Sequence, residues 1–293
     1  MEKKIKEYLA WKGEHAPRAS VMYRIWLDYF LQVCGDKKIE DYNTTDLVKY
    51  KHWLEQRYNP YSVQLGMVVV KNLFKYLRDH NFQCMVPSLF KMKHVDAKPH
   101  RAVTEDEFKK IIAEIPSNEF RQLRDLIMIR LLWDTGVRVS ELCDLEITQI
   151  NENKPSAQIK TKKTGKPRVI VWSEETHQYL MKYMPLRLEL QNINKSSGAL
   201  FLGWTKQQGW SSRLNTRSVQ RLIKYYVCRA GIKEKITPHS FRHGWAHKRR
   251  DQNAPLAFIQ KGLGHINIVS TFVYQQYDDP EYIDNAKKYL KMV

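Results

Sequence analysis

A chain of 293 residues, 43% hydrophobic and 27% charged, has the length for two ordinary domains and the composition of a folded protein rather than a disordered one. Its 49 Lys and Arg outweigh 31 Asp and Glu, and the net charge of +18 calls for an anionic partner, most often nucleic acid. The most apolar run, residues 126–133, is interrupted by Arg130 and falls far short of the roughly 20 residues that span a bilayer, and the opening MEKKIKEYLAWKGEH lacks the apolar core of a secretory signal.

The charge is not a tail. Residues 1–100 carry 17 basic and 11 acidic residues and the remainder 32 and 20, so both parts are basic, as two surfaces facing one polyanion would be. Cys34, Cys84, Cys143 and Cys228 have no metal-binding spacing, and are read as free thiols of a reducing cytoplasm.

In chain order, the first hundred residues read as helices joined by polar turns. Residues 19–34 place Val21, Ile25 and Leu31 on a broad apolar stripe that Gly35 ends. Thr44 or Thr45 is expected to cap a helix over 46–56. After the break at Asn59-Pro60, Ser62 is expected to cap a longer helix to about His80, with Leu65, Val69, Leu73, Phe74 and Leu77 at helical spacing. Residues 1–85 therefore form a helical domain. Residues 86–101, with Pro87, Pro99 and several Lys and His, read as a basic linker.

The second domain, residues 102–293, opens with a capping box between Thr104 and Glu107. Helices are expected over 105–115 and 120–134, the second closed by Gly136, then a short one over 139–142. Residues 157–160 and 168–172 are strand candidates flanking a Lys-Lys-Thr-Gly-Lys-Pro turn, the one small sheet of a mainly helical chain. Helices resume at Ser173, over 217–230, over 238–250 with Thr237 as cap and Pro238 at its first position, and over 255–261. There is no glycine-rich strand-to-helix turn for a nucleotide cofactor.

Four stretches concentrate phosphate-binding residue types. In TGVRVSEL, Arg138 stands at a helix entry beside exposed backbone amides, and Glu141 either holds Arg138 or caps the helix. The turn carries Lys160, Lys162, Lys163, Lys166 and Arg168 with no acid between Glu152 and Glu174; it is either a solvated basic turn or a mobile lysine arm. In TPHSFRH, His239 and Arg242 lie one turn apart near a helix N-terminus, where the dipole favours anions. His239, His243 and His247 recur at metal-face spacing, but no paired cysteine or HExxH glutamate accompanies them. The fourth is Leu263-Gly264-His265, with Tyr274 nine residues on.

Arginine, lysine hairpin, HxxR, then LGH and tyrosine, in that order, resemble the tyrosine recombinase (phage integrase) family, and the helical first domain is similar to that family's core-binding domain. The resemblance implies a two-domain DNA clamp, mainly helical with a small β-sheet: a core-binding domain and a catalytic domain ending in a tail helix. It implies catalysis by Arg138, Lys163, His239, Arg242, His265 and Tyr274, supported by Glu141. Tyr274 is then the nucleophile, the two arginines bracket the non-bridging phosphate oxygens, and His239 acts as base or further donor. His265 donates to a non-bridging oxygen, and Lys163 protonates the departing 5′ oxygen. Such a transfer keeps the phosphodiester energy in a 3′-phosphotyrosyl bond, so neither cofactor nor metal is expected.

The partners so implied are duplex DNA with a specific, inverted-repeat site and further copies of the chain, a dimer on one site and a tetramer in synapsis exchanging strands through a Holliday junction. The expected location is the cytoplasm, on the nucleoid. Residues 280–290, with Tyr282, Ile283, Ala286, Tyr289 and Leu290, are expected to dock on a neighbouring protomer. With a first domain that starts near residue 1, no arm-binding module is expected, as in a compact chromosome resolvase, integrase or transposase. Type IB topoisomerase activity and a non-cutting DNA-binding regulator are the alternatives.

Overall fold

The structure, a computed structural model, describes residues 1–86, 101–161, 165–194, 198–207, 209–264 and Thr271. Most of the linker, Lys163, His265, Tyr274 and residues 280–290 lie outside the described residues. The chain divides into two compact units, Met1–Lys98 and Pro99–Val293. Among the described residues no helix is long and apolar enough to cross a membrane.

The first unit holds α1 (Glu2–His15), α2 (Pro17–Cys34), α3 (Thr44–Glu55) and α4 (Pro60–Asp79). Leu27, Phe30, Tyr50, Leu54, Val70, Leu73 and Phe74 are buried in its core. The Tyr50 hydroxyl donates to the Trp26 carbonyl at 2.8 Å, which satisfies its one polar atom inside an apolar cluster.

Both expected caps move upstream. Asn43, not Thr44 or Thr45, caps α3: its Oδ1 accepts from the amides of Thr45 and Asp46, and the Asp46 carboxylate accepts from the Asn43 amide. The reciprocal partner at Asp46 decides between neighbouring capping residues. Asn59, not Ser62, caps α4 and accepts from the Ser62 amide at 3.0 Å. Pro60 has no amide to satisfy and a φ already helical, so the helix starts at the proline and the residue before it becomes the cap.

In the second unit, α5 (Glu105–Ala113) starts at the Thr104–Glu107 capping box. Next comes α6 (Phe120–Thr135), buried along nearly its whole length, as a central core helix must be. Arg130, which interrupts its apolar run, pairs with Glu175 and lays its guanidinium over the Tyr179 ring. The short α7 (Val139–Cys143) leads to an antiparallel three-stranded sheet, β1 (Ile150–Asn151), β2 (Ser156–Lys160) and β3 (Pro167–Val171), in that order. Ala157 faces Ile170 and Ile159 faces Arg168 across β2 and β3, a register that turns Ala157, Ile159, Arg168 and Ile170 inward.

After α8 (Glu174–Asn194) the chain forms a second, two-stranded sheet, β4 (Leu202–Thr205) with β5 (Gly209–Arg213), where only one sheet was expected. Its Gly, Trp and Ser residues give no clear alternation. Leu202 is buried, and Arg213 pairs with Glu146 beside the preceding sheet. The unit continues with α9 (Thr216–Arg229), α10 (Pro238–Asp251) and α11 (Leu256–Leu263).

Candidate active site

The site is built where α6 stops. Gly136 ends that helix in the left-handed region at φ 59°, and a Cβ there would lie 3.1 Å from Cγ of Trp245 on α10. Only glycine combines that backbone with so close a ring. The Trp245 indole donates to the Asp134 carbonyl at 2.7 Å, fixing α10 across the end of α6.

Arg242 lies on α10 one turn before Trp245 and is buried. It donates to the Gly136 carbonyl at 2.7 Å and to the Leu263 carbonyl, at the end of α11, at 2.6 Å. One planar guanidinium thus joins the segment that leads into Arg138 to the segment that leads into residue 265. His239, three residues earlier on the first turn of α10, is exposed. Thr237 caps this helix and accepts from the Ser240 amide, with Pro238 at its first position.

Arg138 is the N-cap residue of α7 and is half-buried. Glu141 both caps the helix and holds the arginine: one oxygen accepts from the Arg138 amide at 3.1 Å, the other from its Nη1 at 3.1 Å. The first oxygen also accepts from Nη2 of Arg168 at 2.8 Å. Burial pushes the Glu141 carboxyl up, but Arg168 and Arg138 together hold it below the usual carboxylate range, so it stays ionised.

Arg168 is therefore not part of a solvated basic turn. Its side chain is 6% exposed, and it also donates to the Gly262 carbonyl. The signal in the sequence was phase: Arg168 alternates with Ile170 and Trp172, and all three are buried while Val169 and Val171 face out. Because both rows of β3 are largely apolar, alternation did not say which row faced inward.

The structure brings Arg138, Glu141 and Arg242 to one place and sets the first turn of α10, with His239, beside it. Lys163, His265 and Tyr274 lie outside the described residues. The described segments on which they border are Thr161 after β2, Gly165 before β3, and Gly264 after α11. Among the described residues no group of three or more His, Cys, Asp or Glu side chains could hold a metal ion. None of the four cysteines forms a disulfide, and burial, reinforced by Asp46, pushes the Cys34 thiol up to about 11.

Residues 101–281 match the phage integrase family. The chain belongs to the phage integrase family. It is a tyrosine recombinase, an enzyme that cleaves and rejoins DNA strands. It is 29% identical over 255 residues to tyrosine recombinase XerA of Pyrococcus furiosus, covering 86% of this chain and 81% of that protein. Against the crystal structure of XerA recombinase it is 25% identical, with a TM-score of 0.55 over 99% of this chain and all of that one. The recombinase fold is also that of XerH, solved on its difH substrate before cleavage, at a TM-score of 0.74 and 16% identity over 100% of this chain and 85% of that one.

Proposed function

We propose that this tyrosine recombinase transfers a DNA 3′-phosphate to Tyr274 inside a cradle formed by Arg138, Lys163, His239, Arg242 and His265, with Glu141 fixing Arg138. The observation that carries the reading is the tie between Arg242 and Gly136, which fixes the second arginine two residues from the first. Two permanently charged guanidiniums so placed suit the two non-bridging oxygens, where negative charge builds in the transition state.

Phenols titrate near 10, so attack needs the proton drawn off. His239, exposed at a helix N-terminus, takes that role or adds a hydrogen bond to the phosphate. The tyrosine oxygen–phosphorus bond forms as the phosphorus–O5′ bond breaks, and Lys163 gives its proton to the departing O5′ oxygen. His265 donates to a non-bridging oxygen. The product is a 3′-phosphotyrosyl ester and a free 5′ hydroxyl. The reverse attack by a 5′ hydroxyl of the second duplex exchanges strands and builds a Holliday junction.

Residues 1–85 serve as a helical core-binding domain, 86–101 as a basic connector and 102–293 as the catalytic domain. The net charge of +18 spread over both units supports a long contact with the DNA backbone. The substrate is a duplex with an inverted-repeat site, bound by a dimer and paired in a tetramer on the nucleoid.

The test is a nicked suicide duplex carrying the sequence that the protein itself selects from randomised DNA. A covalent adduct should form with the wild-type chain and with Tyr277→Phe, and vanish with Tyr274→Phe. An adduct that survives Tyr274→Phe and is lost in Tyr277→Phe would refute the assignment.

A further inference from the structure

Arg168 has no part in the chemistry above, yet it meets both the helix that Arg138 starts and the end of α11. From β3 its Nη2 donates to the Glu141 carboxylate at 2.8 Å and its Nη1 to the Gly262 carbonyl. Gly264, at φ 62°, packs on its stem: a Cβ there would come within 3.0 Å of Nε and 3.1 Å of Cδ. The glycine both adopts a left-handed turn and leaves room for the guanidinium. One side chain therefore joins the strand after residues 162–164, the helix that Arg138 starts, and the residue before His265.

Charge says more than contact. Glu141 alone beside Arg138 forms a neutral pair, which cancels the charge a phosphate would feel. A second buried cation on the same carboxylate restores a net positive charge to the trio. Burying Arg168 is also costly, since its Nε has no hydrogen-bond partner among the described residues. An apolar side chain would join the segments without that cost. We propose that Arg168 is a positioning residue for strand cleavage: it neutralises Glu141 so that Arg138 meets the phosphate fully charged, and it holds the start of α7 and the end of α11 in register. The proposal rests on the recombinase reading of this site.

The experiment follows single-turnover adduct formation on the self-selected nicked duplex across pH, with DNA affinity and thermal melting measured beside it. Arg168→Met should slow adduct formation about 10- to 100-fold, the usual effect of losing a group that supports a reacting one, with DNA affinity unchanged. Arg168→Lys, which keeps the charge but not the fork, should fall between the two. The charged groups acting on Glu141 are Arg168 from β3 and Arg138 at the head of its own helix. Losing the first lets the carboxyl protonate at higher pH, so the acid limb of the rate profile should move upward in Arg168→Met.

A purely structural arginine would not move that limb. Glu141→Gln combined with Arg168→Met removes both buried charges and should recover melting and part of the rate lost in Arg168→Met; a double variant no faster than Arg168→Met would overturn the proposal. So would a wild-type rate in Arg168→Met, or a slow variant with an unmoved acid limb that lysine does not rescue. A wild-type chain that forms no adduct removes the recombinase reading and this proposal together. A wild-type adduct with an equally fast Arg168→Met removes this proposal only.

Discussion

Arg242 donates to the Gly136 carbonyl at 2.7 Å across 106 residues of chain, and by that bond the end of α6 and the first turns of α10 become one unit. The second half of the same guanidinium takes the Leu263 carbonyl, so three segments far apart in sequence share one planar group. Lysine has the charge but no such fork.

Arg242→Lys should therefore slow covalent adduct formation about 100- to 1,000-fold, the range for losing one preorganised donor at a developing charge. DNA affinity should stay close to wild type, because non-specific binding draws on the whole basic surface. Single-turnover adduct assays beside equilibrium binding separate the two; a parallel loss of binding would show that Arg242 holds the fold rather than the phosphate.

Gly136→Ala places a Cβ at positive φ and within 3.1 Å of the Trp245 ring. Left-handed strain costs about 1–3 kcal/mol, and denaturant unfolding should show a loss in that range. The same variant should form adduct more slowly, since the carbonyl that anchors Arg242 moves with the strained turn.

Glu141 gives the pH dependence of stability its sign. Its folded carboxyl lies below the usual range despite burial, held there by Arg168 and Arg138. The stabilisation is complete above the unfolded value of about 4.3 and is lost as pH falls through the lower folded value. Wild-type stability should thus fall on acidification below about pH 5, and Glu141→Gln should flatten that fall. At pH 7 the variant should be less stable by about 3 kcal/mol, as when one partner of a buried ion pair is removed. Urea midpoints measured from neutral to acid pH check both points, and identical acid slopes would contradict the assignment.

These predictions rest on features of unequal legibility. The Thr104–Glu107 capping box, the αL stop at Gly136, the Thr237-Pro238 helix start and the β2–β3 hairpin were readable because each is a local device with its own residue signature. Asn43 and Asn59 do not stand out as caps, because Thr44 and Ser62 are also good capping residues. Asp46 and the ring of Pro60 decide, and they act only once the helix has formed. Helix α1 offers just Ile5, Tyr8 and Leu9 as buried residues among lysines and glutamates, an amphipathic stripe too thin to stand out without α2 packed on it. Order along the chain was enough to nominate Arg138, Glu141 and Arg242. The bonds from Arg168 to Glu141 and Gly262 join residues 27 and 94 positions apart, which no local pattern encodes.

Lys163 is separable from its neighbours by leaving-group chemistry. Lys163→Ala should cut adduct formation on ordinary DNA about 100- to 10,000-fold, the span for a general acid. A substrate with sulfur in place of the bridging 5′ oxygen leaves without a proton and should restore the rate. Lys162→Ala and Lys166→Ala should not show this rescue; rescue in either would move the acid role to that lysine.

Removing residues beyond Asp279 should lower the pairing of two occupied sites and leave single-site binding intact, as native gels and crosslinking would show. Undiminished synapsis would exclude the tail as a link between protomers.

The most direct measurement is the location of the DNA on the chain. After trapping on the nicked duplex and nuclease digestion, trypsin releases residues 262–287, which hold Tyr274, Tyr277 and Tyr282. Fragment-ion mass spectrometry should find a nucleotide joined through its 3′-phosphate to Tyr274. The same mass on Tyr277 or Tyr282, or a nucleotide joined through its 5′-phosphate, would contradict the account.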